Sequence, residues 1–177
     1  MTRAAHLARR FVTSLRARPI DEADRAFARD SLREEELECW EDLGRADQAE
    51  SVATGRATIQ LLNRTERDWE ADPDWIAAAL LHDIGKTETD LGTIGRSLAT
   101  VAAMFAGERR ARAWSGGFGR YVNHDELGAR RLEAAGARPE AVAWARAHHR
   151  RALWPGTGIP PEICQILAKA DGEPDPR

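Results

Sequence analysis

Residues 77–86 read Ala-Ala-Ala-Leu-Leu-His-Asp-Ile-Gly-Lys, an apolar run that ends in an imidazole and a carboxylate side by side. Asp72-Pro73 opens this segment with an N-cap acceptor followed by proline at the first helical position. The pattern predicts a helix that is closed by Gly85 in the left-handed conformation. His82 and Asp83 would then lie in the last turn, where the helix dipole favours a bound cation.

Further potential metal ligands follow this stretch in a chain that has only five histidines. His124 precedes two acidic residues, the adjacent pair His148 and His149 follows later, and Asp171 ends an apolar segment. A single His-Asp pair at a helix end is usually a cap or a surface feature. The recurrence of imidazole and carboxylate in helix-compatible segments favours a metal site instead.

The apolar residues recur at helical intervals, and no alternating β pattern of convincing length appears. We therefore expect an all-α fold, a bundle of about eight to ten helices with the ligands in its middle. A helix from Asn123 should end at Gly136, and Pro139 should start an antiparallel one. The adjacent histidine pair would thereby return to the level of His124. Pro160-Pro161 should then start the last helix, which delivers Asp171.

Length and composition indicate one soluble domain. The chain has 177 residues, 42% hydrophobic and 31% charged, which is enough for one core, with residues 1–45 as a helical extension packed on a core of residues 46–177. A net charge of −3 argues against general nucleic-acid binding. No apolar stretch long enough to span a membrane and no signal peptide is evident, so we expect a cytoplasmic protein with no membrane partner. Cys39 and Cys164 follow no zinc or redox spacing and are expected to be reduced structural thiols.

Other segments carry expectations of their own. Residues 1–18 are basic and amphipathic and predict one helix packed on the domain or on a partner. The acidic run at residues 34–36 is most simply a solvated first helical turn. Residues 97–105 predict an apolar helix. Residues 114–120 are glycine-rich and predict a loop, which is either a flexible connector or a lid that borders the metal site.

Four motifs together resemble a known family. LLHDIGK at residues 80–86, HDELGARRL at 124–132, AHH at 147–149 and ILAKAD at 166–171 are similar to the motifs of the HD-domain metal-dependent phosphohydrolases, and they occur in the family's order. The middle and late motifs look more like the two-metal branch, which includes the HD-GYP phosphodiesterases. The Gly-Tyr-Pro element is absent, and residues 155–160 stand where it would fall.

The resemblance implies a set of metal ligands. One ion would be held by His82, Asp83 and Asp171, and a second by Asp83, His124, His148 and His149, with Asp83 bridging the two. The first histidine of the family should fall within residues 47–53, which contain none. Glu50 is the best replacement, and a carboxylate there would shift the preference towards manganese, magnesium or iron. The alternative is that Glu50 is a solvated helix residue and the first metal position is lost.

The resemblance also implies an activity. We expect hydrolysis of a phosphomonoester or phosphodiester of a small molecule, for which a nucleotide is the first choice, by a metal-activated water. The cofactor would be one or two divalent ions, namely iron, manganese or magnesium. Nickel or zinc would also be compatible with the site in the protein as purified. Asp83 and Lys86 would be catalytic, and the substrate phosphate would meet basic side chains, namely Lys86, Arg96, Arg120, Arg150 and Arg151.

Two other functions are compatible with the same residues. A degenerate, non-catalytic HD module that binds a nucleotide or a protein partner would explain the missing first histidine. An iron-dependent oxygenase or lyase on the same scaffold is similar to rarer members of the superfamily. A homo-oligomer is compatible with each of the three functions.

Overall fold

The protein is all-helical in the part that the computed structural model describes, residues 19–65, 73–89 and 91–172. This part contains ten α-helices and no strand, which confirms the expected fold class. The helices are α1 (Glu22–Ser31), α2 (Glu34–Glu41), α3 (Arg45–Leu62), α4 (Pro73–Leu81), α5 (Thr93–Ala106), α6 (Glu108–Ala111), α7 (Gly116–Val122), α8 (His124–Ala135), α9 (Pro139–Ala147) and α10 (Pro161–Ala170). Two 3-10 helices, Ile84–Glu88 and Arg151–Gly156, follow α4 and α9. The expected N-cap Asp72 and the expected helix over residues 1–18 lie outside the described residues.

Helix α4 is the centre of the bundle. Its residues 77–81 are all fully buried, so this part of the helix has no polar face. It packs against α3 on one side and against α9 on another. A helix buried all round must be surrounded by other helices, which is why the His-Asp pair that follows it lies inside the fold and not on its surface.

The end of α4 differs from the expectation. The helix ends at Leu81, and the chain continues through His82 and Asp83 into the 3-10 helix Ile84–Glu88. Gly85 is not among the glycines with a positive φ, so the expected left-handed closure is wrong. A Cβ on Gly85 would instead lie 1.8 Å from the carbonyl oxygen of His124. Glycine is required here because the 3-10 helix packs directly on the backbone of α8.

Helices α8 and α9 form the expected hairpin. Helix α8 ends at Ala135, and its C-cap Gly136 adopts the left-handed conformation with φ of 77°. Pro139 occupies the first turn of α9. The aromatic rings of His124 and His148 have centroids 5.6 Å apart, so the two helices do return these residues to the same level. Helix α10 begins at Pro161, as expected, and Asp171 caps its C-terminus.

The acidic run at the start of α2 is not simply a solvated turn. Glu36 is fully buried and accepts hydrogen bonds from the backbone nitrogen and the guanidinium Nε of Arg138, both at 2.9 Å. The guanidinium also donates to the other carboxylate oxygen at 2.8 Å. These hydrogen bonds join α2 to the start of α9, across 102 positions of sequence.

The glycine-rich segment is a helix and not the expected loop. Residues 116–122 form α7, and a Cβ on Gly119 would lie 2.0 Å from the carbonyl oxygen of Trp114. Only one residue, Asn123, separates α7 from α8, so the segment leads directly to His124. The expected helix over residues 97–105 is present as α5, which begins four residues earlier, at Thr93.

Two other expectations concern thiols and membranes. Cys39 and Cys164 are both buried and free, as expected for structural thiols. Among the described residues, no helix combines the length and the apolar character that a membrane span requires.

Candidate metal centre

Three histidines of the motifs share one local geometry. The Nδ1 atom of His82, His124 and His148 lies 2.8, 2.7 and 2.8 Å, respectively, from the carbonyl oxygen of the residue three positions earlier. A carbonyl oxygen can only accept, so each Nδ1 carries the proton and donates it. The Nε2 atoms of His124 and His148 therefore present their lone pairs, which is the arrangement that metal-binding histidines use. Nε2 of His82 instead faces carboxylate oxygens of Asp83 and Asp171.

These lone pairs point into a buried space beside Asp83. The Nε2 atoms of His124 and His148 and Oδ1 of Asp83 are buried and make no hydrogen bond to the described part of the chain. Asp83 Oδ1 lies 3.2 Å from His124 Nε2 and 3.7 Å from His148 Nε2. Buried acceptors without donors are costly, and a cation among them would satisfy all of them at once.

One group of residues fits a divalent ion. Asp83, His124, His148 and His149 each offer one ligand atom, and these four atoms lie within 4.8 Å of one another. Two ligands at about 2.1 Å from an ion can be at most about 4.2 Å apart, so small side-chain rotations complete the geometry. Imidazoles with one carboxylate suit iron, zinc, nickel or manganese. The donor set therefore fits the divalent cofactor that the motifs imply, and it includes both residues of the adjacent histidine pair.

The remaining implied ligands lie on the other side of Asp83. His82 Nε2 is 3.3 Å from Asp83 Oδ2 and 3.3 Å from Asp171 Oδ1. The side chain of Asp171 is only 4% exposed, although it comes from the far end of the chain. All six implied His and Asp ligands are thus brought to one place, on the two sides of a single carboxylate.

Burial and neighbouring charges shift the pKa values of the ionisable groups in the site in different directions. Burial opposes a charge on Asp83, but Lys86 and His82 outweigh it and hold the pKa of Asp83 well below its ordinary value. Burial likewise opposes a charge on His82, and Asp83 and Asp171 outweigh it, so the pKa of His82 is raised. Burial and the neighbouring His149 and His82 lower the pKa of His148. Asp83 is therefore ionised and His148 neutral at pH 7, as metal ligands must be.

Lys86 is buried among carboxylates. Its Nζ contacts Asp83 Oδ2 and lies 3.6 Å from Glu50 Oε2 and 3.9 Å from Asp47 Oδ1. Burial disfavours the ammonium, but these carboxylates outweigh burial and raise the pKa of Lys86 above its ordinary value. Glu50 thus faces the site across Lys86. Asp47 was missed by the sequence analysis, although its position one helical turn before Glu50 places both on one face of α3.

The arginines that were expected to bind phosphate lie in different places. Arg96 makes an ion pair with Asp47, in which Nη1 donates to both carboxylate oxygens at 2.8 and 2.7 Å. Arg151 is exposed, and its guanidinium carbon lies 5.0 Å from the centre of the Trp154 ring. Arg120 is exposed on α7 and borders a cavity of about 200 Å³. The other residues that line this cavity are Trp114, Ser115, Gly116, Gly119, Asn123 and Leu127.

Arg150 belongs to a network that the sequence analysis missed. Its Nε lies 3.0 Å from Oδ2 of Asp125, a buried carboxylate that also binds both terminal nitrogens of Arg112. Asp125 directly follows His124, and Arg150 directly follows His149. Two guanidinium groups are therefore anchored next to two of the candidate metal ligands. Asp125, the acid that follows His124, was visible in the sequence motif. Its basic partners, Arg112 and Arg150, could not be identified from sequence spacing.

Comparison with known proteins gives one finding. A family model described as HD domain matches residues 51–173, which is more than half of the chain and includes every implied histidine and aspartate ligand. Glu50 and Asp47 precede the matched segment. No curated protein and no solved structure matches the chain.

Proposed function

The chain belongs to the HD-domain family, and on this premise we propose that it is a metal-dependent phosphohydrolase that cleaves a phosphomonoester or phosphodiester. HD domains bind divalent metals and are generally hydrolases of this kind. A nucleotide is the substrate that the four motifs favour. The closer likeness to the two-metal branch stays a prediction from those motifs.

The observation that carries the proposal is the convergence of unpaired lone pairs. Asp83 Oδ1, His124 Nε2 and His148 Nε2 come from three separate segments, are buried and lack hydrogen-bond donors. A structural polar cluster would pair its acceptors with donors, as Glu36 does with Arg138. An ion bound here would act as a Lewis acid towards a phosphoryl oxygen and would lower the pKa of a water molecule.

The protein's own side chains would orient and neutralise the substrate. Asp125 holds Arg112 by two hydrogen bonds, and Arg150 lies within ion-pair distance of Asp125 and donates to the Arg146 carbonyl. These guanidinium groups lie next to His124 and His149, and such groups match the geometry of a phosphate. Both arginines keep part of their side chain exposed, 22% and 25%, so an anion can reach them. We assign to this pair the binding of the substrate's phosphate group.

The cavity on α7 suits the remainder of a nucleotide. This open cavity is lined by Trp114, Arg120 and Asn123, the residue before His124. We assign to it the base of the proposed nucleotide.

The test is turnover by the purified protein after addition of manganese, iron or magnesium. We expect hydrolysis of 4-nitrophenyl phosphate or of bis(4-nitrophenyl) phosphate, followed by a survey of nucleotides. Asp83→Asn should abolish turnover, whereas Asp30→Asn, an exposed aspartate on α1, should leave it unchanged. A folded protein that is inert with all three metals would contradict the proposal and support the non-catalytic module. Iron-dependent oxidation of a polyol or phosphonate would contradict it in favour of an oxygenase.

A further inference from the structure

The two carboxylate oxygens of Asp83 have different neighbours. Oδ1 faces His124 Nε2 at 3.2 Å and His148 Nε2 at 3.7 Å, and it accepts no hydrogen bond. Oδ2 contacts the ammonium group of Lys86 and lies 3.3 Å from His82 Nε2. One side of this carboxylate is therefore open to a metal ion, and the other is already in contact with a cation.

The position of Lys86 is fixed by carboxylates on α3. Its ammonium lies 3.6 Å from Glu50 Oε2 and 3.9 Å from Asp47 Oδ1, and only 9% of the side chain is exposed. Asp47 and Glu50 both lie within residues 47–53, where the first histidine of the family is expected, so Lys86 is held from that side. A buried ammonium that contacts one carboxylate and lies close to two others has no comparable alternative position.

Cations already surround the Oδ2 side of Asp83. Arg96 pairs with Asp47, and the Lys86 ammonium contacts Oδ2 and lies 3.6 Å from Glu50. A second divalent ion on Oδ2 would stand against this ammonium in a buried site, where repulsion between like charges is strong.

We infer that the chain holds a single divalent ion, bound by Asp83 Oδ1 with His124, His148 and His149, and that the Lys86 ammonium takes the place of the second ion on Oδ2. This inference rests on the metal-dependent function proposed above and narrows it to a one-ion centre. Glu50 then serves to hold Lys86 and is not a metal ligand. His82 and Asp171 flank the ammonium side of Asp83.

The first test is a titration of the purified protein with Mn²⁺, read by native mass spectrometry and by electron paramagnetic resonance. We expect one manganese per chain, with the six-line spectrum of an isolated ion. Two manganese ions per chain, with the broadened spectrum of a coupled pair about 3.5 to 4 Å apart, would overturn the inference.

The second test removes the cation. Lys86→Gln should raise the manganese content from one to two ions per chain, because an ammonium group no longer occupies Oδ2 of Asp83. Lys86→Arg, which keeps the charge, should remain at one. A folded Lys86→Gln protein that still binds one ion would show that Lys86 does not fill the second place.

A third comparison does not depend on the folding of the Lys86 variants. His82→Gln should keep one manganese per chain, because His82 lies on the Oδ2 side, whereas His124→Gln should lose it. Loss of manganese from His82→Gln as well would overturn the inference. These results can be told apart from failure of the proposed function. A protein that binds one ion and hydrolyses no phosphoester would contradict only the proposed function. A hydrolase that binds two ions would contradict only the inference of a single ion.

Discussion

Gly85 and His124 are in backbone contact: a Cβ on residue 85 would lie 1.8 Å from the carbonyl oxygen of His124. The same approach brings Gly85 against Gly128, one turn further along α8. This contact sets the distance between Asp83, two residues before Gly85, and His124. The candidate metal centre therefore depends on a glycine that contributes no ligand.

Gly85→Ala should both destabilise the protein and weaken metal binding. The methyl group would meet rigid backbone, so the 3-10 helix must move away from α8, at an expected cost of about 3 kcal/mol or more. Asp83 would move with it. Urea unfolding and a manganese titration measure the two effects. Gly156→Ala is the matched control, because a Cβ there meets nothing within 4 Å, and it should change neither quantity. A Gly85→Ala protein with normal stability and affinity would contradict the proposed role of this contact.

Glu36→Gln should cost about 1.5 to 3 kcal/mol of stability, since it removes the charged partner of three hydrogen bonds and leaves the buried guanidinium of Arg138 with Asp74 as its remaining counter-charge. Glu35→Gln, at the neighbouring exposed position on α2, is the matched control and should change stability by less than about 0.5 kcal/mol. The measurement is the free energy of unfolding in urea at pH 7. Equal effects of the two substitutions would show that the ion pair does not join α2 to α9.

The difference in stability between the wild type and Glu36→Gln should depend on pH. Burial raises the pKa of Glu36, but the hydrogen bonds and charge of Arg138 outweigh it, so the pKa is lowered on folding. A carboxylate with a lowered folded pKa stabilises the protein above its unfolded pKa, about 4.3, and the contribution is lost as the pH falls through the folded pKa. The difference should be full at pH 7 and should shrink below about pH 4. A difference that is constant down to pH 3 would contradict this account.

The two adjacent histidines should contribute unequally to metal affinity. His148 is buried and its ring is fixed by the Ala145 carbonyl, whereas His149 is exposed. His148→Gln should weaken manganese binding by more than 100-fold, beyond the roughly 10- to 100-fold that loss of a supporting hydrogen bond costs. His149→Gln should weaken it less, by about tenfold. The rise in melting temperature on adding metal reports both losses, and a larger loss for His149→Gln would contradict the assigned geometry.

Local signals were sufficient for most of the helices and for the order of the ligands, but not for the glycine-rich helix over residues 116–122. Pro139 and Gly136 mark a helix start and a helix end by their own backbone preferences, so the α8-α9 hairpin could be predicted. The apolar run at residues 77–81 likewise predicted a helix that leads to the His-Asp pair. These features depend on residues a few positions apart.

Contacts between distant segments could not be predicted in the same way. Glu36 looks like any acid in a first helical turn until Arg138, 102 positions later, is placed beside it. Gly85 looks like a helix stop because nothing in its neighbourhood indicates the backbone of α8. Asp47 and Glu50 could be placed on one face of α3, but their contact with Lys86 depends on how α3 packs.

The most direct test of the metal centre is an anomalous difference map from crystals soaked in Mn²⁺. A manganese peak is expected about 2.0 to 2.2 Å from Asp83 Oδ1 and from the Nε2 atoms of His124 and His148. No peak at this position after soaking with saturating Mn²⁺, or a peak bound by other residues, would contradict the proposed metal centre.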